Sequence, residues 1–154
     1  MTRPNSGRYF EDFDLEETFV TAGRTITEAD IVNFSGISGD FAQIHTNEQY
    51  AQHTFFGQRV AHGLLVLAVA SGLRIQTGMY EGTLLALLGL EEWRFNAPVF
   101  IGDTVHVRMQ TVEKRLASQP GRGIIKHAVE VMNQHGETVQ TGRVVLLMRT
   151  RPDA

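Results

Sequence analysis

Val60-Ala61-His62-Gly63-Leu64-Leu65-Val66-Leu67-Ala68-Val69-Ala70-Ser71-Gly72-Leu73-Arg74-Ile75-Gln76 is the stretch that decides how the rest of this chain must be arranged. The pattern predicts a helix from His62-Gly63 to about Gln76, with Gly78 placed to stop it. Its apolar residues fall on every helical face, and a helix that is apolar all round has to be enclosed on nearly all sides. The run is shorter than the roughly 18 residues that cross a bilayer, and it contains His62 and meets Arg74. It reads as a buried element and not an anchor. At 1.5 Å per residue Val60 to Ile75 covers about 24 Å, enough to cross a five-stranded sheet.

The residues that follow supply such a sheet. Residues 84–95 are rich in leucine and aromatic side chains, and Pro98-Val99-Phe100-Ile101-Gly102-Asp103 reads as a strand end and turn. Residues 104–112 then alternate as a strand does. Residues 124–132 and 138–150 form two more strands, and the polar turn Asn133-Gln134-His135-Gly136-Glu137 makes them a hairpin. Ahead of the buried helix the signals are helical. Thr27-Glu28-Ala29-Asp30 caps a helix expected to stop near Gly36. Thr46-Asn47-Glu48-Gln49 has the form of a capping box for a short second helix, leaving residues 38–45 as a loop. Helices followed by runs of strands give an α+β fold, with four or five antiparallel strands wrapped round one long central apolar helix.

The whole chain, residues 1–154, reads as a single domain with its core at about 9–149 and loose tails at residues 1–8 and 150–154. There is no cysteine, which excludes disulfides, cysteine-ligated metals and a thiol nucleophile. The net charge of −3, without a run of like charges, gives no footprint for nucleic acid. Residues 1–7 have no apolar stretch of the secretory kind, so the expected location is cytoplasmic, with no membrane contact.

Without cysteine or a nucleophilic serine elbow, the chemistry falls to histidine and carboxylate. His106, His127 and His135 sit in strands or a turn and read as packing or solvated residues. His45, His53 and His62 cluster before the central helix, but their spacing matches no chelating pattern, so no metal is expected. Asp40 and His45 share one short loop between capped helices. Phe41 and Ile44 flank them and are expected to desolvate the pair, which is the arrangement of an acid–base dyad working near neutral pH. Gly63 opens the buried helix, where a free N–H and the positive dipole end suit a developing anion.

Tyr9-Phe10-Glu11-Asp12-Phe13, Arg24-Thr25-Ile26-Thr27-Glu28-Ala29-Asp30-Ile31, Ser38-Gly39-Asp40 with His45, Phe56-Gly57, Ala61-His62-Gly63-Leu64-Leu65 and Phe95-Asn96-Ala97-Pro98-Val99-Phe100-Ile101-Gly102-Asp103 together resemble the MaoC-like dehydratases. These are the (R)-specific enoyl-CoA hydratases of the hotdog fold, and the resemblance runs from about residue 9 to 149. It implies that Asp40 and His45 are the catalytic pair that holds the added water. It implies that the Gly63 amide binds the thioester oxygen, that Ser71 lines the acyl pocket and that His62 positions the turn into the helix. Phe56 is a further expected substrate contact. The family loop has Asn-Pro where this chain has Ala42-Gln43, which removes two constraints on the loop and leaves Gln43 as a substitute polar contact.

The resemblance further implies reversible hydration of a trans-2-enoyl thioester, with a coenzyme A or acyl carrier protein thioester as substrate and no other cofactor. It implies a site at a subunit interface. A single sheet wraps a helix incompletely, and a homodimer paired edge to edge supplies the remedy. Arg59, Arg94 and Arg122 are candidates for a phosphate-binding rim. A hotdog thioesterase normally places its carboxylate on the central helix, and residues 64–73 contain no acid. A non-catalytic acyl-thioester binding module has no use for both Asp40 and His45.

Overall fold

The computed structural model describes residues 7–152. The loose tails expected at the ends fall partly on residues 1–6 and 153–154, which lie outside the described residues. Within them the ends are tied down. Gly7 N–H donates to the Glu81 carbonyl at 3.1 Å and Arg8 N–H to Met79 at 2.8 Å. Near the other end, Thr150 N–H donates to Gly121 at 3.0 Å and the Arg151 guanidinium pairs with Asp12.

After a short 3-10 turn (Phe10–Asp12) come two brief strands, β1 (Thr18–Val20) and β2 (Arg24–Thr25). Three helices follow: α1 (Glu28–Ser38), α2 (Gln43–Thr46) and α3 (Glu48–Ala51). The long helix α4 (Gly63–Gln76) precedes four long strands, β3 (Leu84–Phe95), β4 (Thr104–Leu116), β5 (Arg122–Met132) and β6 (Thr138–Arg149). The sheet has the antiparallel order β1-β4-β5-β6-β3, with β2 also pairing β4. The Asn133–Glu137 hairpin closes as expected, with Gly136 in the left-handed region at φ 77°.

Three boundaries differ from the sequence expectation for local reasons. α1 passes through Gly36 and ends at Ser38, because Gly39, not Gly36, adopts the left-handed conformation and returns its N–H to Ser35. Thr27 caps α1 through the Asp30 N–H, with the reciprocal bond from the Asp30 side chain completing a capping box. α3 is capped by Asn47, whose side chain accepts from Tyr50 N–H, and not by Thr46. Thr46 instead belongs to α2, a helical turn inside what the sequence reads as loop.

β4, β5 and β6 alternate buried residues with less buried ones. Val105, Val107 and Met109, Ile125 and Val129, and Val144, Leu146 and Met148 form a continuous core with α4. Burial of such side chains stabilises the fold by roughly 1.5–3 kcal/mol each. His127 lies in this core, edge-on or tilted to the rings of Phe13, Phe19 and Tyr80. Its burial pushes its pKa down to about 4.

α4 buries Leu65, Val66, Val69, Ala70 and Leu73, yet Leu64 is 61% exposed and Ile75 49%. The enclosure expected on nearly all sides is therefore incomplete within one chain, because one sheet covers one side of a helix. β3 forms a free edge of that sheet and exposes Leu87 and Leu88.

Candidate active site

Three segments converge at the N-terminus of α4. Residues 60–61 run as a short extended piece clamped from both sides: Val60 N–H donates to the Ile44 carbonyl at 3.1 Å, Ala61 N–H donates to Val99 at 2.8 Å, and Val60 bridges Phe100. The clamp brings the α2 turn, and with it His45, against the start of α4.

His45 is buried, and its Nδ1 lies 2.6 Å from the Val60 carbonyl. A carbonyl only accepts, so Nδ1 carries the proton and Nε2 keeps a free lone pair. Burial holds His45 below the ordinary imidazole range. The bond to Val60 and the Asp40 charge oppose that shift, and His62 adds to it. The imidazole is accordingly neutral and basic at pH 7.

Asp40 is exposed, as is Phe41, so the desolvation expected of the pair applies to the imidazole alone. The Asp40 carboxylate accepts from Ala42 N–H at 3.1 Å, and its own N–H donates to Ser38 Oγ at 3.1 Å. These bonds shape a compact turn leading into α2.

Asp40, His45 and His62 offer ligand-type atoms within 4.8 Å of one another. The two imidazoles, however, are stacked, with ring centroids 3.8 Å apart and 29° between planes. Stacking keeps the in-plane lone pairs of the two rings in separate planes, whereas a cation needs donors that converge at about 2.0–2.2 Å. The arrangement suits proton transfer better than coordination.

Gly63 is the first residue of α4, and its N–H has no acceptor among the described residues. It opens onto a cavity of about 610 Å³ whose walls include His45, Phe56, Leu64, Phe95 and Val99. The lining is mostly apolar, as an acyl chain requires. One polar residue that the sequence reading missed also faces it. Gln140 on β6 is 2% exposed, donates Nε2 to the Gly63 carbonyl at 2.9 Å and accepts from Trp93 Nε1 at 3.0 Å. It stands on the same alternation as Val144, Leu146 and Met148, so a polar residue in core register was the available signal.

The other expected contacts lie elsewhere. Gln43 does not line the cavity; its Oε1 accepts from Asn47 Nδ2 at 2.9 Å. Ser71 is half-buried two turns along α4, also outside that lining. Arg59 is engaged by Glu28 and Glu48. Arg94 lines a separate groove with Arg108 and Arg143. Arg122 opens β5, remote from the site, beside Gln119. None of the three arginines lines the cavity.

An antiparallel sheet packed on one long helix is the hotdog arrangement, and here an acid–imidazole pair and a free amide lie at that helix's N-terminus. The M. tuberculosis protein described as having a double hotdog fold superposes with a TM-score of 0.85 at 23% identity, covering 96% of this chain and 46% of that one. Residues 12–133 match the MaoC like domain, and the chain belongs to that family. Protein MaoC of Klebsiella aerogenes is 38% identical over 112 residues, 73% of this chain and 33% of that protein. The (R)-specific enoyl-CoA hydratase of Rhodospirillum rubrum is 41% identical over 101 residues, 63% of this chain and 65% of the enzyme. The chain thus spans between a third and about two thirds of these relatives.

Proposed function

We propose that this protein is an (R)-specific enoyl thioester hydratase, which adds water reversibly to a trans-2-enoyl-CoA to give the (R)-3-hydroxyacyl thioester. The observation that carries the reading is the grouping of Asp40 with His45, whose ligand-type atoms lie within 4.8 Å of each other, together with the opening of His45 and the unpaired Gly63 N–H onto one apolar cavity. In the forward direction the water oxygen bonds to Cβ while the pair takes a proton from the water. The C=C electron pair shifts towards the thioester oxygen, and a proton returns to Cα from the same face. The Gly63 amide, at the positive end of α4, stabilises the oxyanion as it builds; one donor of this kind is worth on the order of 3–4 kcal/mol. The relatives named as hydratases support the reading.

The working unit is a homodimer. The free edge of β3 and the uncovered side of α4 with Leu64 and Ile75 offer the apolar surface that a second copy would cover. Because the cavity wall contains no cation, the phosphates of coenzyme A, or of an acyl carrier protein's arm, are held outside it.

Incubation with crotonyl-CoA tests the function. Loss of enoyl absorbance, with (R)-3-hydroxybutyryl-CoA as product, is expected for the wild type and strongly reduced in Asp40→Asn and His45→Gln. Release of free thiol without hydration would indicate a thioesterase, and binding without turnover a carrier module; undiminished rates in both variants would remove the pair from the mechanism. Sedimentation at micromolar concentration is expected to show a dimer.

A further inference from the structure

His62 takes no part in the proton transfers above, yet it touches every element that does. It is 3% exposed and occupies the N-cap position of α4 without capping the helix through its side chain. Its Nε2 lies 3.0 Å from the Asp40 carbonyl and 3.3 Å from Ser35 Oγ. Since the carbonyl only accepts, Nε2 carries the proton. Nδ1 is then a bare lone pair, buried with no donor among the described residues. Leaving a buried polar group unsatisfied is unfavourable, so the ring's other contacts must hold it in this orientation.

The same ring stacks on His45 at 3.8 Å and meets Phe34 of α1 at 5.0 Å. The backbone completes the connection. The His62 carbonyl accepts the first helical bond from Val66 N–H at 3.2 Å, and the peptide bearing that carbonyl is the one that presents the Gly63 N–H. Rotation of the His62 ring would therefore free the Asp40 turn and uncover one face of His45 together, at the residue whose peptide presents the Gly63 N–H.

We infer that His62 is a positioning residue: through its Nε2–H bond to the Asp40 carbonyl and its stack on His45, it holds the acid–imidazole pair in one fixed geometry beside the Gly63 amide. The inference deepens the proposed hydratase reading and rests on it for its kinetic consequence. Asp40 and His62 are the titratable groups that bear on His45, while Ser35 and Phe34 face His62 from α1 uncharged. A positive charge on the neighbouring ring would oppose protonation of His45.

Two substitutions separate positioning from general structural support. The amide nitrogen of glutamine reaches the place of Nε2 and can still donate to the Asp40 carbonyl; that of asparagine reaches only the place of Nδ1. His62→Asn is expected to lower kcat by on the order of 10- to 100-fold with KM little changed, because misplacement of about 1 Å has costs of this size. His62→Gln is expected to recover most of that loss. In both variants the His45 titration, followed by NMR on substrate-free protein, should move upward, since the neighbouring ring that repels and desolvates it is gone. Equal kcat in the Asn and Gln variants, or an unmoved His45 titration, would overturn the inference. If the wild type hydrates no enoyl thioester, the proposed function fails, and the titration decides the inference alone.

Discussion

Gly63→Ala sets the geometry of the site against the stability of the fold. Alanine in a helix is typically more stable than glycine by roughly 0.5–1 kcal/mol, and the amide N–H survives the change. The new Cβ, however, would stand 2.7 Å from Phe95 Cδ1 and 2.8 Å from Cε1. Non-bonded carbons settle at about 3.5–4.0 Å, so the ring must retreat by about 1 Å. Phe95 is 55% exposed, which lets it swing outwards without disturbing the core. Folding is thereby spared while the site is not, because Gly63 and Phe95 line the same cavity and the methyl projects between them. Misplacement of about 1 Å costs on the order of 10²-fold in rate, about 3 kcal/mol of transition-state stabilisation. We expect crotonyl-CoA hydration to fall by that factor while the melting temperature moves by only a few degrees, equivalent to about 1 kcal/mol for a chain of this size. Hydration at the wild-type rate would refute the reasoning that a methyl at Gly63 and the displaced Phe95 ring obstruct the site. A large drop in melting temperature would show instead that Phe95 is a fixed part of the core.

Three further outcomes follow from the same residues. Because burial holds His45 below its ordinary 6.5 and the neutral form is the working one, kcat/KM should stay level down to about that pH and fall only below it; an acidic limb centred above pH 7 would contradict this. His127 titrates at about 4 in the folded protein against 6.5 ordinarily, so the unfolded chain binds its proton first and stability is lost as pH falls from about 6.5 to about 4, by about 3 kcal/mol in total. Urea denaturation across that range should show a shallower acid loss in His127→Leu, and an unchanged slope would refute the assignment. Trp93→Phe removes the donor to Gln140 Oε1 and leaves a buried acceptor unpaired, which should lower stability by about 1–3 kcal/mol in a thermal melt; a neutral result would mean that water reaches Gln140.

The central helix and the β5–β6 hairpin were legible because their signals are local: an uninterrupted apolar run opened by Gly63, and a polar turn with Gly136 between two alternating segments. β1 and β2 were not legible. They have three and two residues, too few for an alternation pattern, and they exist because β4 offers them a pairing edge. The helical half and the strand half are therefore less separate than the order of signals suggests. In the site, Asp40, His45 and Gly63 could be picked out by residue type and neighbourhood. The contribution of Gln140 could not, since its bond to Gly63 joins residues 77 positions apart. Exposure of the carboxylate was misjudged for a related reason. Apolar neighbours in sequence do not cover a side chain when they themselves point outwards, as Phe41 does at 61% exposure.

The replacement of Asn-Pro by Ala42-Gln43 bears on how such a loop is kept rigid. Proline would fix its own φ and bias the preceding residue towards extended backbone, and asparagine would tie the turn through its side chain. Here the extended conformation before α2 is present without proline: Ala42, the N-cap, sits at φ −52° and ψ 138°. Four side-chain bonds stand in for the missing constraints. The Asp40 carboxylate accepts from Ala42 N–H; Thr46 Oγ1 donates to the carbonyls of Phe41 and Ala42 at 3.1 and 3.2 Å; and Gln43 Oε1 closes on Asn47. The nucleus of this set is the Asp40 carboxylate, one oxygen of which accepts the Ala42 N–H. Gln43 thus serves the loop, where the sequence suggested a substrate contact. The rigidity that proline supplies through a covalent ring is supplied here by hydrogen bonds centred on α2, the turn that carries His45.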